Sequence, residues 1–285
     1  MTQVIKTIAE MRARVAAARV GGKIVGFVPT MGALHDGHIS LIEAAVKRTD
    51  YVIVSIFVNP TQFGPGEDFH NYPRPFEKDL AICQKHDVDA IFAPSVNEMY
   101  PRETLAWVTV DNLTERLCGE SRPGHFRGVA TVCAKLFNIV HPDIAFFGQK
   151  DAQQAVIVWR MVADLSMPLK VVVCPTVREP DGLAMSSRNV YLSPEERKDA
   201  VRIYESLVRC QELIEAGERD TDVISGQMYE ILKQMPGTKI DYVSICDAET
   251  LEELGQVQGR VLIAVAVRMK SVRLIDNILV DTPTQ

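Results

Sequence analysis

Residues 35–38 read HDGH: two imidazoles three positions apart around a glycine, where an apolar strand-like run gives way to a helix-like one. Such a pair can ligate a metal, handle a phosphate, or serve a turn. A zinc centre needs more ligands, and no Cys, His or Glu stands at a recognised ligand spacing from the pair. An ordinary turn would use Asp36 as the helix cap and Gly37 for a tight approach, with both rings in water. A phosphate-handling pair would bring His35 and His38 to one ligand from the loop and the first helical turn, because positions i and i+3 share a helix face. The stretch lacks both G-x-G-x-x-G and G-x-x-x-x-G-K-[ST]. A phosphate cradle here must therefore combine the histidines with backbone N–H groups at the helix start.

Three further polar clusters carry side chains suited to anions and hydroxyls: VNPTQFGPG after a second strand-like run, FGQKDAQQ after DIAFF, and GLAMSSRN. Each alone reads as a loop, with Asn59 and Pro60 making a turn, Asp151 capping a helix and Ser186 capping a turn. Their interest lies in where the elements put them.

Strand-like runs KIVGFV (23–28), YVIVSIFV (51–58), DAIFA (89–93), a short WVTV, DIAFF (143–147) and LKVVVC (169–174) alternate with helix-period segments at about 38–48, 75–86, 127–140 and 151–164. Continuously apolar strands separated by helices predict a parallel sheet covered on both faces. The fold class is α/β: a doubly wound, Rossmann-like parallel-sheet domain over 1–175, with its ligand crevice at the carboxyl ends of the strands. Beyond it, one long helix from SPEER, a helix near 221–234 and three strands, KIDYVSI, RVLIAVAV and SVRLIDNILV, predict a smaller α+β C-terminal domain over 176–285. The polar clusters then fall at strand ends, around one crevice. Segment 59–75, rich in Pro and Gly, is long for a connection inside a compact domain and is expected to act as a gate.

Composition narrows the class of partner. The 285 residues carry a formal net charge of −6, with Lys and Arg scattered, so no nucleic-acid partner is expected. No apolar run approaches the ~20 residues that cross a bilayer, so no membrane partner is expected either. MRARVAAAR near the N-terminus reads as an amphipathic helix rather than a transit peptide, because Glu10 precedes it. The six cysteines show no C-x-x-C pair, which predicts reduced, packed thiols in a cytoplasmic protein.

PTMGALHDGH, SIFVNPTQF, YPR, SRPGHFRGV, FGQKDAQQ and MSSRN, in this order, resemble the pantothenate synthetases (pantoate–β-alanine ligases), over nearly the whole chain from about 22 to RLIDN at 273–277. The resemblance implies ATP-dependent joining of (R)-pantoate to β-alanine through a pantoyl adenylate, releasing pyrophosphate and then AMP. It implies catalytic roles for His38, His35 and Lys150. It places ATP on Met31, Gly32, Ala33, Leu34, His35, Asp36, Gly37 and His38, on Gly148, Gln149, Lys150 and Asp151, and on Val177, Met185, Ser186, Ser187 and Arg188. Gln62 and Gln154 would hold pantoate, Gln62 would also meet β-alanine, and Asn59 and Phe57 would line that site. Arg188 is expected on an exposed loop that reaches the phosphates only on closure. No protein metal site is implied; Mg2+ would arrive with the ATP phosphates. The resemblance also implies a homodimer.

One departure stands out: Gln149 occupies a position where Glu is expected in many relatives, removing a negative charge beside the phosphates. Two other functions fit the same H-x-G-H: a nucleotidylyltransferase that joins AMP or CMP to a phosphate ester, and a non-enzymatic ATP sensor. The first would not need the amides Gln62 and Gln154, and the second would release no pyrophosphate.

Overall fold

The computed structural model describes residues 2–270 and 272–282. A short strand β1 (Gln3–Ile5) leads into α1 (Ile8–Val20), then β2 (Val25–Thr30), α2 (Asp36–Val46) and β3 (Tyr51–Ile56). After the 59–75 segment come α3 (Phe76–Lys85), β4 (Ala90–Phe92), α4 (Val96–Met99), α5 (Cys118–Ser121), α6 (His125–Val140), β5 (Ile144–Gly148), α7 (Ala152–Asp164) and β6 (Lys170–Cys174). The remainder holds α8 (Pro194–Asp199), α9 (Val201–Glu215), α10 (Thr221–Leu232), β7 (Thr238–Asp247), β8 (Arg260–Met269) and β9 (Val272–Asp281).

The first six strands form one parallel sheet in the order β1-β4-β3-β2-β5-β6. Alternation along its strands feeds two cores. Val25, Phe27, Ile53 and Phe147 pack under α1, α6 and α7, while Val28, Val54, Ile91 and Phe146 pack under α2 and α3. Strands buried on both faces read as unbroken apolar runs, which is why the parallel sheet is legible. From β2 the chain steps outward through β3 to β4, then returns to the other side of β2 with β5. The order reverses beside β2, and in such a sheet the crevice at that reversal takes the ligand.

The last three strands form an antiparallel sheet, β7-β8-β9. Its central strand β8 is buried on both sides: Val261, Ile263, Val265 and Val267 pack under α9 and α10, whereas Leu262 and Ala264 join the core of the large sheet. The small sheet is thus seated against the first, with β9 facing the crevice.

Four local expectations differ from the structure. WVTV at 107–110 forms no strand; the sheet edge beside β4 is taken by β1, and Val108 N–H instead donates to Thr131 Oγ1 on α6 at 3.0 Å. Strand β1 escapes sequence reasoning because three residues show no period. The run ending at Val28 continues through Pro29 to Thr30, whose hydroxyl donates to Ser55 O at 2.7 Å and ties β2 to β3. The long helix from SPEER is two, α8 and α9, parted at Ala200, where Ile203 N–H bonds the carbonyl three residues back and tightens the turn. All six cysteines are free and buried, as packed thiols.

Candidate active site

The H-x-G-H turn is wired by its own side chains. His35, in extended conformation, is the N-cap of α2, and its Nδ1 accepts from Gly37 N–H at 3.2 Å. His38 Nδ1 accepts in return from His35 N–H at 3.3 Å, closing a reciprocal capping box. His35 therefore caps the helix in place of Asp36, which lies exposed in the first turn. A Cβ on residue 37 would stand 2.8 Å from His35 Cε1, so only glycine lets the ring fold back over the turn. With both Nδ1 atoms accepting, each neutral ring carries its proton on Nε2. The rings lie 4.1 Å apart, and both are held neutral at ordinary pH. Burial, then the Lys150 charge, lowers His35 to about 4. Burial, then His35, lowers His38 to about 3.

The turn preceding them is held from a distance. Asp79, on α3 and 1% exposed, accepts from Ala33 N–H at 2.9 Å and Leu34 N–H at 2.8 Å. Gly32 N–H donates to Thr30 Oγ1 at 3.0 Å. The amides of Gly32, Ala33, Leu34, His35 and Gly37 are thus all satisfied within the protein, because a buried turn cannot leave donors unpaired. Those five amides are therefore engaged within the protein rather than turned toward an anion. The side chains of the turn offer a ligand the imidazole Nε2–H groups.

Two cavities of about 220 and 620 Å³ adjoin at the strand ends and share Arg122, His125, Lys150, Asp151, Gln154, Ser186 and Arg188 in their walls. The smaller one gathers Met31, His35, Gly37 and His38 after β2, Phe57, Asn59 and Gln62 after β3, Gly148 and Lys150 after β5, and Val177, Met185 and Ser187 after β6. Gly32, Ala33, Leu34, Asp36 and Gln149 are not in these walls. Gly32 instead faces a separate 290 Å³ cavity behind the turn.

Two amides of the NPTQ stretch divide their labour. Asn59 Nδ2 donates to Gln62 Oε1 at 3.1 Å and Gly128 O at 3.3 Å, and its Oδ1 accepts from Thr61 Oγ1 at 3.0 Å and Tyr100 OH at 2.9 Å. Its side chain is spent inside the protein, and it aims Gln62, whose NH2 meets only the Met31 sulfur, at 3.2 Å, among the described residues. Gly128 permits this crossing, since a Cβ there would collide with Thr61 O. The neighbours Gln153 and Gln154 split likewise. Gln153 is buried and bonds Leu113 O, Arg116 O and Cys118 N–H, whereas Gln154 faces both cavities.

Gln149 turns away from the cleft toward β9, donating to Asn277 Oδ1 at 2.7 Å. Asn277 Nδ2 donates back to Gln149 O at 3.0 Å and Lys150 O at 2.9 Å, so the missing negative charge lies outside the cleft walls. Asn277 is steadied by Asp276, itself forked on Arg178 at 2.5 and 3.0 Å. The Lys150 turn is therefore gripped from the small sheet.

Arg188 departs from the expected exposed loop. It is part-buried and forks on Asp68 of the 59–75 segment at 3.0 and 3.1 Å. Tyr72 OH lies 3.3 Å from Ser187 Oγ, and Tyr191 OH donates to Asn71 O at 3.2 Å. The 59–75 segment and the MSSR loop thus meet across the cleft mouth. Arg122, His125, Asp79 and Asn277 were missed by sequence reasoning; SRPGHFRGV and RLIDN contain three of them, but nothing in those stretches shows which side chains turn inward. Among the described residues, no group of three or more His, Cys, Asp or Glu is placed to hold a metal.

Comparison with known proteins identifies the family and the fold. The family model for pantoate-beta-alanine ligase matches residues 3–279. The pantothenate synthetase of Acetivibrio thermocellus is 52% identical over 279 residues, 98% of this chain and 99% of its own. That of Pelotomaculum thermopropionicum is 55% identical over 274 residues, covering 96% and 97%. The crystal structure of pantothenate synthetase from Thermus thermophilus superposes with a TM-score of 0.92 at 47% identity, covering 97% of this chain and 98% of that one. A pantoate-beta-alanine ligase from Francisella tularensis, complexed with beta-gamma ATP and beta-alanine, superposes at 0.81 with 35% identity over 98% of both chains. This chain belongs to the pantoate–β-alanine ligase family of amide-forming ligases.

Proposed function

We propose that this chain joins (R)-pantoate to β-alanine in two steps at the cleft between the sheets. A carboxylate is a poor acylating agent, so it must be activated before an amine can attack. In the first step a pantoate carboxylate oxygen attacks the α-phosphorus of ATP and the bond to pyrophosphate breaks. In the second the β-alanine nitrogen attacks the acyl carbon, loses a proton, and the bond to AMP breaks.

The observation that carries this reading is the pair of neutral imidazoles, His35 and His38, with Nε2–H donors fixed by the capping box and Lys150 in the same cavity wall. Preorganised donors of this kind stabilise charge building on the α-phosphate and the departing pyrophosphate, each contributing roughly 3 kcal/mol. Gln62 and Gln154 offer donors and acceptors to a small hydroxy acid, and Phe57 and Met31 wall its methyl groups. Ser186, Ser187 and Arg188 face the β- and γ-phosphates. Asp151 is the carboxylate shared by both cavities and would meet the water shell of a Mg2+ ion, which neutralises phosphate charge when bound with ATP. Residues 1–175 supply the nucleotide and pantoate sites in this scheme, and 176–285 the lid. The Francisella complex supports ATP and β-alanine as ligands.

The same reading makes the protein a cytoplasmic homodimer, for which molar mass in solution is the test. No helix among the described residues is long and apolar enough to cross a membrane. The reaction is tested by supplying ATP, (R)-pantoate and β-alanine: amide, AMP and pyrophosphate should accumulate in equal amounts. ADP and phosphate would mean an acyl phosphate, and ATP binding without turnover would mean a sensor.

A further inference from the structure

We propose that Arg122 is the receptor for the carboxylate of the amine substrate, and that Glu67 of the 59–75 segment occupies it until that substrate arrives. This rests on the ligase reading above. β-Alanine is 3-aminopropionate: besides the amine that reacts, it brings a carboxylate that must leave water. Gln62 alone offers it no charge.

Arg122 stands beside Gln62. Its Nη2 donates to Gln62 O at 3.4 Å, and its Nη1 donates to His125 Nε2 at 2.9 Å. His125 then donates from Nδ1 to Gln62 O at 2.7 Å, so guanidinium, imidazole and the Gln62 backbone form one closed unit. His125 is neutral, lowered to about 4 by burial and then by Arg122, which leaves the positive charge on the guanidinium. The other cations of the cleft have other work. Lys150 lies beside the histidines, Arg188 faces Asp68, and Arg268 and Arg273 share Asp241.

The remaining fork of Arg122, Nε and Nη2, holds Glu67 Oε1 and Oε2 at 2.7 and 2.6 Å, in the wall of the larger cavity. A glutamate side chain ends in the propionate group that β-alanine carries, so the bidentate geometry already present fits the substrate's carboxylate. Glu67 can also withdraw. It follows Gly64, Pro65 and Gly66, the last at φ +81°, on the segment that closes the cleft mouth.

The two partners make opposite predictions. Arg122→Gln should lower kcat/KM for β-alanine by about 10²-fold, with Arg122→Lys intermediate because a point charge replaces the fork. Pantoate-dependent ATP–pyrophosphate exchange should fall far less than amide formation, since that step involves no amine. Glu67→Gln should lower KM for β-alanine by several-fold. β-Alaninamide, which lacks the carboxylate, should be a poor substrate for the unaltered enzyme, and Arg122→Gln should abolish that discrimination. Losses of the same sign in Arg122→Gln and Glu67→Gln, or equal losses in exchange and amide formation, would show the pair to be a strap for the segment and overturn the proposal. If Arg122→Gln fails to fold, Arg122→Lys and Glu67→Gln still decide. Absence of exchange in the unaltered enzyme would overturn the ligase reading itself, a separate outcome.

Discussion

The floor and the mouth of the cleft are built by different means. At the floor, the H-x-G-H turn is held by neutral hydrogen bonds between neighbours and by Asp79, whose carboxylate is 1% exposed and spent on two amides. At the mouth, residues 120 positions apart meet through Arg188 and Asp68, whose side chains are 29% and 28% exposed. Partly solvated pairs of this kind contribute little and are screened by salt. The contrast fits the roles proposed for each. Groups that stabilise a transition state gain by being fixed beforehand, whereas a rim that admits three substrates must part easily.

The sharpest way to break the comparison is at the floor. His38→Ala should depress pantoate-dependent ATP–pyrophosphate exchange by about 10²-fold or more, while amide formation from pre-made pantoyl adenylate suffers far less. Circular dichroism checks that the fold survives. Equal losses in both half-reactions would mean that His38 positions the adenylate generally.

At the mouth, the two partners of one ion pair should respond with opposite signs. Arg188→Ala removes the proposed phosphate contact and should slow adenylation by tens of fold, roughly 10²-fold at most. Asp68→Asn frees Arg188 for ATP and should lower KM for ATP a few-fold, an effect that shrinks at high salt. A rise in KM on Asp68→Asn would show that closure of the rim matters more than competition for the arginine.

Asp79→Asn tests whether the turn needs its distant anchor. One acceptor oxygen replaces two, and an NH2 faces a buried N–H, which should cost about 1–3 kcal/mol of stability, read by denaturant midpoint. Exchange should fall about tenfold as the imidazoles loosen. Unchanged stability would place the anchor elsewhere.

The last effect is on pH. His35, His38 and His125 titrate near 6.5 when unfolded but at about 4, 3 and 4 when folded. Above 6.5 both states are neutral and nothing is lost; below it the unfolded chain takes up protons that the folded chain refuses. Stability should therefore decline as pH falls from 6.5 toward 4, with a slope approaching about three protons from these rings. A flat melting profile across that window would contradict their burial as neutral groups.

Much of the floor was legible in the sequence and little of the mouth. The alternation of apolar strands and helices predicts the parallel sheet, and the sheet's reversal beside β2 puts HDGH, NPTQ and GQKD on one edge. Residue types at short spacing reveal the histidine pair, yet the wiring does not show: a histidine as helix cap has no composition signature, and Asp79 lies 46 positions from Ala33. The ion pairs of the rim join Asp68 to Arg188 and Glu67 to Arg122, acids and bases that read as ordinary solvated charges until the chain is folded. Gln149 shows the limit most plainly. Its neutral amide looked like a change beside the phosphates, but its partner is Asn277, 128 positions away on the other sheet.

The most direct test of adenylation follows oxygen. With (R)-pantoate labelled in both carboxylate oxygens, one labelled atom bridges carbon and phosphorus in the adenylate and leaves with AMP when the amine attacks. Mass spectrometry should find a single label in the AMP phosphate and one in the new amide. Unlabelled AMP, or label in inorganic phosphate released with ADP, would contradict adenylation.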